Sequence, residues 1–163
     1  YLKLTGDPQP MAADVIADMD CDWDSVARTL RGPVPDARPI WYQKHMAHHM
    51  EGPPGGFDGT GKTGVEALPD HVHGFLIRDP RRVVASYAAK RTRVRPEHLG
   101  VARQRLYFDR VADRLGQAPP VVDSADILAD PPGVLARLCA ALGIGWDPAM
   151  LGWAAGRRDT DGI

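Results

Sequence analysis

Apolar residues fall into short unbroken runs separated by stretches of helical period, and these runs predict the elements. Gly74-Phe75-Leu76-Ile77 has no polar alternation, which predicts a short parallel strand covered on both faces. Ile40 to Gln43 and Pro120 to Val122 predict two further strands. Between the strands the period changes. Met11, Val15, Ile16 and Met19 mark a short helix over Pro10 to Met19. A second helix, Asp22 to Leu30, ends at Gly32-Pro33. Lys44 to Met50 predict a helical turn, and Gly52 to Gly64, dense in Gly and Pro, a loop. Helices are then predicted from Pro80 to about Arg93, from Pro96 to Leu115 and from Pro132 to Leu142. Tyr1 to Leu4 read as the tail of an element that begins upstream. Strands alternating with helices predict an α/β fold around a parallel sheet.

One junction carries chemistry. Arg78 stands where the strand ends, Asp79 is a good N-cap, and Pro80 suits the first helical position. A helix N-terminus offers unpaired N–H groups and the positive end of its dipole, so the layout suits an anion. Open α/β sheets bind ligands at the carboxyl ends of their strands. Along the helix, Arg82, Ser86, Lys90 and Arg93 recur on one side, while Val83, Val84, Tyr87 and Ala88 fall on another. An ordinary amphipathic helix with a solvated basic face would show the same pattern.

Composition narrows the picture. The 163 residues suit one domain, and the net charge of −1 argues against a general nucleic-acid binder. Basic residues nonetheless crowd the middle of the chain, from Arg78 to Arg114, where they could face a small polyanion. Cys21 and Cys139 stand far apart without a Cys-x-x-Cys pattern, which suits a reducing, cytoplasmic compartment. No apolar run approaches the length of a membrane span, and no signal peptide is visible.

Arg78-Asp79-Pro80-Arg81, with Ser86 eight residues after Arg78, resembles the 3′-phosphate-binding segment of sulfotransferases that use 3′-phosphoadenosine 5′-phosphosulfate (PAPS). Val121 to Ile144 looks like that family's late strand, acidic turn and helix ending in Leu-Gly-Ile. Tyr42-Gln43-Lys44-His45-Met46-Ala47-His48-His49 looks like the strand-end Lys/His motif of bacterial members. The resemblance covers roughly Ile40 to Trp146. It implies a three-layer, P-loop-kinase-like α/β domain with a central parallel sheet flanked by helices. That domain would be single and incomplete over 1–163, its first strand and 5′-phosphosulfate loop lying upstream of Tyr1 and further contacts beyond Ile163. It also implies that Arg78 and Ser86 hold the donor's 3′-phosphate. Arg82 and Lys90 would support the positive field.

Sulfuryl transfer needs a proton acceptor and a charge on the leaving phosphate oxygen. Histidine suits the first task and lysine the second. Lys44 and His45 are the candidates. Animal cytosolic members separate the Lys and His by one residue, whereas here His45 follows Lys44 directly; that departure leaves the base open between His45, the first choice, and His48. The resemblance implies PAPS as the donor and 3′-phosphoadenosine 5′-phosphate (PAP) as the product, and implies no metal. The acceptor would be a hydroxyl or amine on a small molecule, glycan or lipid, and fold does not choose among them.

Two other readings stand beside this one. Gly56 to Thr63 match the Walker A pattern G-x-x-x-x-G-K-[ST], which would make the chain an ATP- or GTP-using enzyme. The flanks speak against it, because Met50 to Gly55 are no strand and Gly64 to Pro69 are too short for the required helix. A non-catalytic nucleotide-binding remnant is the third reading. A zinc site on His45 and His49 lacks the Glu that follows the first His in zinc proteases, since Met46 stands there.

Overall fold

A computed structural model of the chain describes residues 6, 11–47, 71–91 and 93–156. The chain divides after His71 into two compact units. His48, His49 and the Gly56–Thr63 loop lie outside the described residues.

The first unit holds α1 (Ala12–Asp18) and α2 (Trp23–Arg31), followed by a 3₁₀ turn at Pro35–Ala37. Both helices sit within about two residues of their predicted bounds. Asp22 caps α2, its carboxylate accepting from the Ser25 amide at 2.8 Å. Ala27 of α2 is buried. The strand expected over Ile40 to Gln43 is absent, since residues 40–46 take no regular structure. A strand exists only through its ladder, and the described residues give this segment no partner. Its polar groups are used otherwise, as the next subsection describes.

The second unit holds β1 (Phe75–Ile77), α3 (Pro80–Ala88), α4 (Pro96–Leu99), α5 (Val101–Leu115), β2 (Val121–Asp123), α6 (Ser124–Ala129), α7 (Pro131–Leu142) and a 3₁₀ turn at Pro148–Leu151. The strands pair in parallel with Phe75 level with Val121, Leu76 with Val122 and Ile77 with Asp123. The expected parallel pairing is therefore present, with α3, α4 and α5 in the crossover, as parallel strands require. Tyr107 and Val111 of α5, with Val134 and Cys139 of α7, are buried. Phe75 meets Phe108 edge-on with ring centroids 5.5 Å apart. A Cβ on Gly74 would lie 3.7 Å from the Leu142 side chain, so the approach to β1 runs close to α7.

Three expectations are corrected. β1 is not covered on both faces, for Leu76 is 56% and Ile77 42% exposed. Among the described residues the sheet has two strands, too few to bury both faces. An apolar run does not encode what covers it. The helix expected to reach Arg93 ends at Ala88, so Lys90 lies in the following turn and not on the helical stripe. Pro96, which opens α4, disfavours helix at Arg95 before it. The single helix expected from Pro96 to Leu115 is two, broken at Gly100, whose φ of 69° is left-handed.

The edge of β1 away from β2 is met by a side chain. Phe75 donates its amide to the Pro120 carbonyl at 2.9 Å, so the polar groups of Leu76 point the other way. There the Gln104 amide of α5 donates to the Leu76 carbonyl at 2.7 Å.

α7 ends in a Schellman motif. Ile144 donates to the Cys139 carbonyl at 2.9 Å and Gly143 to the Ala140 carbonyl at 3.2 Å, with Gly143 at φ 70°. A Cβ at Gly143 would meet nothing within 4 Å, so the cost of a side chain there is purely backbone strain. Gly143→Ala is expected to lower stability by about 1 kcal/mol, the left-handed penalty for an L-residue. Urea unfolding of wild type and variant checks this as a lower midpoint at unchanged slope.

Candidate functional site

In the second unit, the parallel register brings the two strand ends side by side. Ile77 is level with Asp123, which puts Arg78 beside Ser124 where the chains leave the sheet. Each strand runs straight into a helix. Asp79 caps α3, accepting from the Arg81 amide at 2.8 Å, and Asp123 caps α6, accepting from the Ala125 amide at 2.8 Å. Asp works here because its short carboxylate reaches the amide two residues on and favours the positive end of the helix dipole. Pro80 then starts α3 at the position where a missing N–H costs nothing.

These turns enclose a half-open cavity of about 170 Å³ lined by Arg78, Asp79, Arg82, Asp123, Ser124 and Ala125. Pockets that swallow a whole small ligand run from roughly 300 Å³ upward. This one suits a single charged group, with the rest of its molecule outside. One oxygen of each carboxylate is occupied by a cap. The two guanidiniums have no hydrogen-bond or ion-pair partner among the described residues. Arg78 and Arg82 are thus donors with nothing yet to donate to, beside α3's open N-terminus. Ser86 is exposed on α3 one turn beyond Arg82 and is not part of the cavity lining. Asp79, Asp123, Ser124 and Ala125 were missed by sequence reasoning as lining residues. The signal was available in the parallel alternation, since neighbouring parallel strands end at one sheet edge, but the register was needed to choose the neighbour.

In the first unit, Lys44 and His45 are both exposed. Lys44 has no hydrogen-bond or ion-pair partner among the described residues. His45 does: its Nε2 lies 3.1 Å from Gln43 Oε1. Gln43 in turn donates from Nε2 to the Leu30 carbonyl at 3.2 Å, and His71 Nε2 reaches the same carbonyl at 3.1 Å. That carbonyl is one of the last four of α2, which no helical amide can satisfy. Gly32-Pro33 ends the helix and Pro33 has no N–H, so side chains from later in the chain take over. Although His45 is exposed as a residue, partial desolvation of its ring lowers its pKa below the ordinary histidine value, and His71 nearby lowers it further. Its neutral, proton-accepting form is therefore favoured. Gln43, which links His45 to the Leu30 carbonyl, was not singled out by sequence reasoning.

Among the described residues no three His, Cys, Asp or Glu side chains gather as a metal-ligand set, and no helix is long and apolar enough to cross a membrane.

The sequence profile of the sulfotransferase domain family matches residues 1–163. Two curated relatives from Arabidopsis thaliana align with the whole chain. "Branched-chain-amino-acid aminotransferase-like protein 2" is 25% identical over 168 residues, and "Branched-chain-amino-acid aminotransferase-like protein 1" is 27% identical over 168 residues. In both cases the match covers 100% of this chain and 27% of the relative, so the chain spans about a quarter of their length. No solved structure matches the chain.

Proposed function

The chain belongs to the sulfotransferase domain family, and from that premise we propose that it moves a sulfuryl group from PAPS to a hydroxyl or amine of a small-molecule, glycan or lipid acceptor. The observation that carries the reading is the cavity at the ends of β1 and β2, lined by two guanidiniums that have no partner among the described residues. A phosphate needs several strong donors in one place, and a planar guanidinium can supply two parallel N–H bonds to it. In this reading Arg78 and Arg82 hold the 3′-phosphate of the donor. Ser86 adds a hydroxyl on the same helix face. The β1–β2 pair is taken as part of a three-layer, P-loop-kinase-like sheet.

The groups of the first unit suit the transfer itself. Lys44 offers a compact charge for the leaving phosphate oxygen. His45 accepts the acceptor's proton as the acceptor oxygen or nitrogen bonds to sulfur. The bond from sulfur to the 5′-phosphate oxygen breaks, and its electron pair leaves with that oxygen. His48 is the other candidate for the base. The acceptor contributes its proton to the enzyme, so nothing is oxidised or reduced and no redox partner is needed.

Calorimetric titration of the full-length protein with PAP, 5′-AMP and magnesium ADP tests the donor assignment. Tight binding of PAP is expected, together with a loss of roughly 100-fold when the 3′-phosphate is absent, the worth of two or so charge-assisted hydrogen bonds. Equal affinity for PAP and 5′-AMP would remove the 3′-phosphate role from the cavity. A preference for magnesium ADP would turn attention to Gly56–Thr63 instead.

A further inference from the structure

The hydrogen-bond chain that ends at His45 has only one consistent assignment of donors. A backbone carbonyl can only accept, so the group that Gln43 turns toward Leu30 must be its NH₂, at 3.2 Å. The amide oxygen is then the atom facing His45, at 3.1 Å from Nε2. An amide oxygen also only accepts, so Nε2 of His45 must carry a hydrogen. This holds whether the ring is neutral or charged. The nitrogen that gains and loses a proton is therefore Nδ1, which has no hydrogen-bond partner among the described residues. The same argument puts a hydrogen on Nε2 of His71, which faces the same carbonyl at 3.1 Å.

We infer that Gln43 is a positioning residue for His45: anchored on the Leu30 carbonyl at the end of α2, its amide oxygen fixes the ring and its tautomer, and leaves Nδ1 as the atom that takes the acceptor's proton. The catalytic half of this inference rests on the reading of His45 as the base. The tautomer half does not.

A neutral amide suits this place better than the carboxylate that often orients a catalytic histidine. Gln43 orders the ring while stabilising its charged form less than a carboxylate would. The desolvation of the ring and the proximity of His71, the titratable group that faces it, act in the same direction by disfavouring the imidazolium. The surroundings disfavour the charged form of His45 while Gln43 holds its orientation.

The test combines two readouts on the full-length protein with its histidine rings labelled with ¹⁵N, the His45 signals being identified by their loss in His45→Ala. Nuclear magnetic resonance across a pH titration should show the neutral ring protonated on Nε2, with Nδ1 the nitrogen that titrates. In Gln43→Leu the Nε2 hydrogen should lose its protection from exchange with water. In Gln43→Glu a carboxylate takes the acceptor position, and the pKa of His45 should rise by about one unit. A neutral ring protonated on Nδ1 in the wild-type protein overturns the inference without any variant, and so does an unmoved pKa in Gln43→Glu. In turnover, Gln43→Leu should lower kcat by roughly tenfold, as loss of an orienting partner commonly does, with KM for PAPS unchanged. Gln43→Glu should move the acid limb of the pH profile upward with the pKa. Full turnover in His45→Ala would overturn the base assignment alone, because the ring measurements decide the role of Gln43 separately.

Discussion

Arg78→Ala is expected to weaken PAP binding by about 2 to 3 kcal/mol, roughly 30- to 150-fold. The size follows from what the guanidinium can do. It stands at the end of β1, lines the cavity with Arg82, and has no partner among the described residues to give up when a phosphate arrives. A bidentate, charge-assisted pair is therefore gained almost in full. Partial exposure and salt reduce the figure, which is why it stays below what two fully buried charged bonds would supply. Arg78→Lys should fall between wild type and alanine, since it keeps the charge and loses the fork. Arg105→Ala is the control. Its guanidinium is already paired with Asp109 at 2.8 Å on the open surface of α5, and removing such a pair changes little. Calorimetry on the three variants checks the order. An unchanged PAP affinity in a folded Arg78→Ala protein would sink the donor-site assignment.

The second large effect belongs to the chemical step. Loss of a general base costs 10²- to 10⁴-fold, and loss of a donor to a developing anion a similar amount. His45→Ala and Lys44→Ala are each expected to lower kcat at least roughly 100-fold while PAP affinity holds within a few-fold. That split separates them from Arg78→Ala, which acts on binding. The pH profile gives an independent reading. A general base must be unprotonated, and His45 has its pKa lowered, first by desolvation and then by His71. It therefore stays competent to a lower pH than a free histidine, and the acid limb should lie below the ordinary value of about 6.5. The same shift affects stability with a definite sign. The unfolded chain binds the His45 proton more readily than the folded one, so this group's contribution fades as pH falls through the histidine range. Steady-state kinetics from pH 5 to 8 would show the limb. Intact turnover in both variants would remove Lys44 and His45 from the chemistry.

What was legible in the sequence was what short-range physics decides. Asp79-Pro80 announces a helix start, because a carboxylate that caps and a proline that needs no N–H can be recognised side by side. Gly143 after an apolar helical run announces its end. The helices α1, α2 and α7 follow from period and flanks alone. What was not legible depended on partners. Ile40 to Gln43 look like a strand by composition, but composition says nothing about a ladder, and the described segment spends the side chain of Gln43 on a carbonyl of α2. Leu76 and Ile77 look like core and are exposed, since an apolar run names no cover. Gly100 within a helical pattern could have been an ordinary interior glycine, and only its left-handed backbone shows it as a break. At the candidate sites, Arg78 and Arg82 could be picked out from a strand end and a helix face. Ser124 and Asp123 could not be joined to them before the register of β1 and β2 was known. Gln43 beside Lys44 and His45 gave no signal, because its meaning lies in a bond to Leu30.

The placement of the cavity has a consequence for how the chain folds. Its walls come from residues 78–82 and 123–125, the two ends of a crossover that contains α3, α4 and α5. Helices of the crossover can form early from local contacts, but a parallel pair waits for the whole loop between its strands to close. No intermediate with β1 alone contains the cavity. A ligand that seats there recognises only the chain in which both strands have met, and by mass action it draws the population toward that state. A ligand in this cavity would then act as a clasp across the non-local contact between β1 and β2.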